Sequence, residues 1–369
     1  MKRSPLERAL RSALSPLYKS LETSVHPLRY LFLEITSRCN LACRHCGSDC
    51  GRGARPDELT AAEWVSLIES LPRAFPSPRP FAVLTGGEPL CHPELDRILD
   101  ALLRSGLRSG LVTNGWLLDA RRLDALVRSG VESVTVSLDG AEASHDWLRG
   151  RRGSFERALA GVRLLAKSDI RIFDVVTCVH PRNLGELAQV EEILKRAGAR
   201  RWRLFSIFPK GRAKESPELI LGAGQIRELL GWIAERRRAN EGKGFAVDFC
   251  CEGYLPREID RQVRDEPYFC RAGISIGSVL GDGTISACPN ISRALSQGNV
   301  RTDDLRDVWE NRFAAFRDRA WMRRGPCERC AEWRRCLGNS MHLWDDEQGH
   351  TCLCHAAAAR TGDDAVSRF

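Results

Sequence analysis

Three cysteines crowded into one short segment constrain this chain more than any other feature. In SRCNLACRHCGSDC, Cys39, Cys43 and Cys46 are spaced C-x3-C-x2-C, directly after the β-forming run Tyr30–Ile35. Three thiolates on one tight loop can hold three irons of a cubane cluster and leave the fourth iron open. A structural zinc site wants four closed ligands. Cys50 offers a fourth thiol, so this motif alone leaves zinc open. The chain carries 15 cysteines in all. Its start, MKRSPLERALRSALSPLYKSLE, is basic but lacks the apolar core and cleavage site of a signal peptide. No run is apolar for long enough to span a bilayer. The expectation is therefore a cytoplasmic protein, where thiols stay reduced and many cysteines mean metal or catalysis rather than disulfides.

At 369 residues the chain has room for about two domains. A hydrophobic share of 43% and a charged share of 28% are ordinary for a globular protein and exclude disorder as its main state. The net charge of +8 comes mostly from arginine and reads first as a solvated surface. Nucleic acid is not an expected partner, because Tyr and Trp are sparse near the arginine pairs. An acidic electron-donor protein is a further use for the charge.

Residues 1–28 read as a helical extension, with Leu6, Leu10, Ala13, Leu14, Leu17 and Leu21 at helical spacing and Pro16 expected to break or kink it. The plain reading is a helix packed on the main domain, the alternative a helix on a membrane surface. From Tyr30 the pattern alternates. Strands are predicted at Tyr30–Ile35, Phe81–Leu84, Gly110–Thr113, Ser133–Leu138, Ile172–Thr177 and Trp202–Ile207, with helices between them and a last helix at Ile226–Ala239. Six strand–helix units in a row predict an α/β fold, a parallel sheet with helices outside, short of the eight units that close a barrel. After about Asn240 the alternation is expected to stop. Residues 241–269 read as a bridge, 270–356 as a cysteine-rich, metal-stabilised domain and 357–369 as a tail.

Ligands in such folds sit at the C-terminal ends of the strands. The first strand ends in the three cysteines, the second in Thr85-Gly86-Gly87-Glu88-Pro89, the third in Thr113-Asn114-Gly115 and the fourth in Ser137-Leu138-Asp139-Gly140. With CNLACRHC and GGEP both present, the chain resembles the radical S-adenosylmethionine superfamily. That resemblance implies a partial, TIM-like (β/α)6 barrel over residues 29–240, and a [4Fe-4S] cluster on Cys39, Cys43 and Cys46 whose open iron chelates S-adenosylmethionine. It implies that one-electron reduction cleaves the sulfonium to a 5′-deoxyadenosyl radical, which takes a hydrogen from the substrate. Carried over by position, Gly86, Gly87 and Glu88 meet the methionine amine, Ser137 makes a polar contact to the cofactor, and Arg149 meets its carboxylate. The Phe205–Pro209 stretch matches the strand whose backbone meets adenine. The position before Cys46, often aromatic in the family, is His45. Cys91 and Cys178 read as buried thiols.

The second cysteine set is Cys270, Cys288, Cys327, Cys330, Cys336, Cys352 and Cys354. A segment so short and rich in turns needs metal clips to fold. A zinc ribbon on Cys327, Cys330, Cys336 and a late cysteine is one reading of the spacing. The pattern also resembles the SPASM domain of radical enzymes, which implies one or two auxiliary iron–sulfur clusters. One is served by Cys327, Cys330, Cys336 and Cys354. The other has Cys270 and Cys288, with Cys251, or else Cys250 or Cys352, as a substitute ligand, since Ser340 stands where a cysteine is expected; an open iron, substrate binding and absence of this cluster all stay open. HPLRYLFLEITSRCN, FCRAG, DGTISACPN and CLGNSMHLW narrow the resemblance to a SPASM subgroup encoded beside a lipoprotein. The resemblance implies an oxidoreductase-like maturase acting on a peptide or protein side chain, reduced by a flavodoxin or ferredoxin. The alternatives are a small-molecule or tetrapyrrole-like substrate and, from another class, a non-catalytic electron carrier. Pro289 and Asn290 after Cys288 argue against formylglycine chemistry. Asp139, Tyr268 and Asp282 are available as acid or base, with no choice among them.

Overall fold

The computed structural model describes residues 5–250 and 252–360. Six parallel strands follow the expected rhythm: β1 (Tyr30–Glu34), β2 (Phe81–Thr85), β3 (Ser109–Thr113), β4 (Val131–Ser137), β5 (Ile172–Val179) and β6 (Arg201–Ser206). They lie side by side in chain order. Sequential neighbours joined by right-handed crossovers put every helix on one face, which curls the sheet toward a barrel.

The helices up to the cysteine-rich region are α1 (Pro5–Val25), α2 (Ala61–Ala74), α3 (Leu95–Arg104), α4 (Ala120–Arg128), α5 (Glu142–Arg149), α6 (Ser154–Leu165), α7 (Leu187–Arg196), α8 (Ala223–Ala239) and α9 (Arg257–Val263). Their start signals are explicit in places. Thr60 and Glu63 close a capping box on α2, and Asp119 caps α4. Apolar faces such as Ile98, Leu99 and Leu102 of α3 bury against the sheet, where Leu31, Leu33, Leu84, Val134 and Val136 form one continuous core.

Four features depart from the sequence reading. The alternation does not stop at Asn240: β7 (Ala246–Phe249) pairs parallel with β6. The segment read as a bridge holds α9. On the opposite edge β8 (Ile276–Val279), from the cysteine-rich region, pairs parallel with β1, and β9 (Thr284–Ser286) and β10 (Gly298–Asn299) extend the sheet antiparallel. The cysteine-rich segment thus completes the sheet rather than hanging from it. Pro16 does not end α1, which runs on to Val25.

Candidate active site

The three cysteines lie where β1 delivers them, on a loop gripped by its neighbours. From the β2 loop, Gly87 N donates to Thr36 O at 2.7 Å and Glu88 N to Arg38 O at 2.8 Å. From the α5 end, Arg44 N donates to Leu148 O at 2.8 Å, and Arg151 reaches Asn40 O at 2.8 Å. From the loop after β6, Arg212 N donates to Cys46 O at 3.0 Å. The glycines at these contacts have a steric reason. A Cβ on Gly86, which has φ +135°, would stand 2.2 Å from Thr36 O, and one on Gly211, at φ +54°, would stand 2.3 Å from Cys46 O. Gly211 was not singled out from the sequence; a glycine in the loop after the sixth strand, on the same rim, was the available signal.

Cys43 is buried, and Cys39 and Cys46 are half-buried. Burial pushes the Cys39 thiol up to about 12. Hydrogen bonding by the Cys50 thiol, and by its N–H at 3.4 Å, holds Cys46 well below the ordinary thiol range. Four thiols around one zinc sit roughly 3.8 Å apart, given Zn–S near 2.3 Å. Among the described residues, the His/Cys/Asp/Glu group whose donor atoms all fall within 4.8 Å is His45, Asp139 and Cys178, not either cysteine set.

Behind the loop, Glu88 is buried and accepts from Thr113 Oγ1 and Asn114 N, both at 2.7 Å, and from Leu90 N at 3.2 Å. It ties the second strand's loop to the third's. Burial pushes its carboxyl up and these bonds oppose that. Arg149, at the end of α5, is buried. Its Nε lies 2.5 Å from Asp139 Oδ2 and its Nη1 3.7 Å from Cys43 Sγ. Burial alone would raise Asp139, but Arg149, His45 and His145 outweigh it and hold the carboxyl low, at about 2. Burial, then the Arg149 charge, holds His45 neutral at about 3, and its Nδ1 is shielded with no hydrogen-bond partner. Asp139 is committed to Arg149 and to the Cys178 N–H, so His45, Asp139 and Cys178 are not a free cation site. Ser137, half-buried, ends β4 beside Val176. Cys91 and Cys178 are half-buried rather than buried.

The second set gathers at the far end of the sheet. Burial, and then the neighbouring thiols of the group Cys327, Cys330, Cys336 and Cys354, push the Cys327, Cys336 and Cys354 thiols up, Cys327 to about 11. Asn339 N donates to Cys336 Sγ at 3.1 Å and Ala357 N to Cys354 Sγ at 3.4 Å. Leu337, Gly338 and Asn339 all have positive φ, at +53°, +80° and +70°. Such a run of left-handed backbone turns N–H groups toward one point, which suits sulfur ligands of an anionic cluster. Cys270, Cys336 and Cys354 all pack against a small cluster of Tyr254, Tyr268 and Ala356. Cys270 and Cys288 both pack against the main core, and Asn290, two residues after Cys288, lies against Gly47 of the first cysteine loop. Cys251 lies outside the described residues. Ser340 is buried and bonds the Tyr268 hydroxyl at 3.0 Å. Asp282 pairs with Arg293 at 2.5 Å. Tyr268, Asp282 and Asp139 are thus all engaged.

A buried network joins the two ends. Glu252 Oε2 accepts from Ser206 N at 2.5 Å, its Oε1 meets His355 Nε2 at 2.9 Å, and Ser206 Oγ also bonds Glu252. These residues tie the tip of β6 to the residue after Cys354. A cavity of about 760 Å³ lies behind Cys336, between α1 and α9, walled by Tyr254, Tyr268, Phe269, Lys19, Arg334 and Arg335.

This arrangement, a cysteine loop and a glycine clasp on the rim of a parallel half-barrel with a second thiol cradle at its end, is that of an iron–sulfur radical enzyme. The chain matches the Radical SAM superfamily over residues 33–196 and an iron-sulfur cluster-binding domain, SPASM, over residues 270–332. It is 32% identical over 326 residues to the AdoMet-dependent heme synthase of Methanosarcina barkeri, spanning 84% of this chain and 90% of that one. It is 27% identical over 339 residues to the PqqA peptide cyclase of Gluconobacter oxydans, spanning 89% and 90%. Among solved structures, anSMEcpe with bound AdoMet and Kp18Cys peptide superposes with a TM-score of 0.68 at 15% identity, over 90% of this chain and 94% of that one. The chain belongs to the radical SAM superfamily and is a SPASM-domain enzyme. Its cofactors are a [4Fe-4S] cluster with S-adenosylmethionine and auxiliary iron–sulfur clusters. Among the described residues no helix is long and apolar enough to cross a membrane.

Proposed function

We propose that this enzyme modifies a peptide or protein side chain by hydrogen abstraction. In this reading Cys39, Cys43 and Cys46 hold the cluster, and Gly86, Gly87, Glu88, Ser137 and Arg149 form the cofactor pocket. Cys327, Cys330, Cys336 and Cys354 hold one auxiliary cluster. Cys270, Cys288 and Cys251 are the remaining ligand candidates, for a second auxiliary cluster. When bound and reduced, the cluster with S-adenosylmethionine supplies the radical that takes the substrate hydrogen. The chain's own part is placement. Gly86 and Gly211 let two loops close on the cysteine loop. Arg149, its charge shared between Asp139 and the Cys43 sulfur, holds cation density at the ligand. Neutral His45 fills the wall beside it.

The observation that carries the peptide reading is whole-length likeness: the PqqA peptide cyclase aligns through both the barrel and the cysteine-rich region. A flavodoxin or ferredoxin is the proposed reductant, and the lipoprotein-associated subgroup the proposed placement. A tetrapyrrole substrate is the second reading, favoured by the 32% identity to a heme synthase and by a cation- and ring-lined cavity of about 760 Å³. The test incubates reconstituted enzyme, dithionite and S-adenosylmethionine with either iron coproporphyrin III or peptide fractions from the source cell. Turnover of 5′-deoxyadenosine with a peptide mass change supports the proposal. Turnover with the porphyrin alone overturns it.

A further inference from the structure

Helix α1 is amphipathic in the inverted sense. Leu14, Leu17, Tyr18, Leu21 and Val25 are 51%, 69%, 47%, 61% and 59% exposed, five of the nine large hydrophobic residues that the described structure leaves exposed. At 3.6 residues per turn they fall within an arc of about 100°, a single stripe. The polar side faces inward. Lys19 lies over the Tyr268 and Phe269 rings at 5.9 and 5.6 Å. Glu22, buried, accepts from Ser275 Oγ at 2.5 Å and Arg271 Nε at 3.3 Å. Just beyond the helix, His26 meets Glu310 at 3.0 Å. Rolling the helix to bury its stripe would carry Glu22 outward and leave the buried Ser275 and the half-buried Arg271 without their acceptor, which costs the desolvation of those groups. The stripe is therefore held outward, and a contiguous apolar stripe held outward marks an interaction surface.

We propose that α1 seats this enzyme on an anionic membrane surface, its axis in the plane of the bilayer and its leucine stripe in the headgroup region. The charge of the segment fits that occupant. Residues 1–25 carry Lys2, Arg3, Arg8 and Arg11 besides the inward Lys19, against Glu7 and the inward, partnered Glu22, in a chain of net charge +8. Basic residues beside an apolar helical stripe are what anionic lipid attracts. A second copy of the chain fits less well. The stripe is about 17 Å long. Two helices crossing over that length cover far less than the roughly 800 Å² per partner of a stable interface, and they bring like charges together.

The test uses the reconstituted full chain and large vesicles of phosphatidylcholine, with and without 30 mol% phosphatidylglycerol (about one lipid in three, a usual anionic load). Expected is co-sedimentation with the phosphatidylglycerol vesicles, weakened by added salt. The L17E/L21E variant, altered only at exposed positions, should bind about tenfold or more weakly, with 5′-deoxyadenosine formation unchanged. Failure to bind anionic vesicles, or equal binding by the variant, overturns the proposal. So does a wild-type dimer in sedimentation velocity that the variant dissolves, which would assign the stripe to a second copy.

Discussion

Replacing Gly211 by alanine puts one methyl group into the grip on the cysteine loop. That Cβ would stand 2.3 Å from Cys46 O and 2.5 Å from Gly47 O, both backbone atoms that cannot swing aside. Relief to an ordinary contact moves the Cys46 carbonyl by roughly 1 Å and breaks its bond from Arg212 N, now 3.0 Å. Three costs add. A non-glycine residue at φ +54° costs about 1 kcal/mol. The lost backbone bond costs about 1 kcal/mol. The forced shift costs about 1–3 kcal/mol. Gly242 is the control, since it has φ +77° with open space around its Cβ position and carries the first cost alone. For 369 residues unfolding as one unit, the entropy change is about 0.8 kcal/mol per kelvin. Calorimetry should therefore show the melting temperature falling about 5 °C in Gly211→Ala and about 1 °C in Gly242→Ala. Gly211→Ala should also lose iron from the first cysteine set. Equal shifts in the two variants, or full iron retention in Gly211→Ala, would refute the claim that this loop grips the cluster site.

Glu34 gives a pH dependence. Burial lifts its carboxyl from the ordinary 4.5 to about 7, against a weaker pull from Ser48. Between those values the folded state holds the proton that the unfolded state has released, so this group's contribution is full below 4.5 and is lost as the pH rises through 7. Glu34→Gln should gain stability over wild type by about 3 kcal/mol at pH 8 and little at pH 4.5; a gain independent of pH in thermal melts would count against it. Arg149→Lys keeps the charge, but one ammonium cannot serve both Asp139 and Cys43 as the guanidinium does. Its reduced cluster should show a changed EPR response to S-adenosylmethionine, and an unaltered spectrum would remove Arg149 from the pocket. Cys330→Ala should lose about four irons, those of its own auxiliary cluster, while the first cluster's EPR signal persists. Loss of all iron would mean that the two cysteine sets load as one unit.

Local chemistry made much of this legible. The six core strands fall within two residues of their predicted ends, because each is a short run of β-forming residues closed by a polar or glycine-rich loop. The cysteine loop, GGEP and Asp139 lie on one rim, as strand-end loops must. What stayed hidden was non-local. β7 is four residues long with no amphipathic partner to announce it, and β8 joins β1 across more than two hundred residues of chain. Ser206, Glu252 and His355 are polar residues of no local distinction until the fold brings together positions 46 and 103 apart in sequence. Pro16 was read as a breaker, yet the helix tolerates the loss of one hydrogen bond and continues. The outward face of α1 was hidden for a related reason: periodicity shows that a stripe exists but not which way it points.

The most direct test of the central claim is 5′-deoxyadenosine formed by the anaerobically reconstituted, dithionite-reduced enzyme and by its Cys43→Ala variant. Cys39, Cys43 and Cys46 as the ligands of the cluster that cleaves S-adenosylmethionine predict product from the wild type and none from the variant, with the auxiliary cluster's signal retained. Product from Cys43→Ala at the wild-type rate would contradict the assignment of the site.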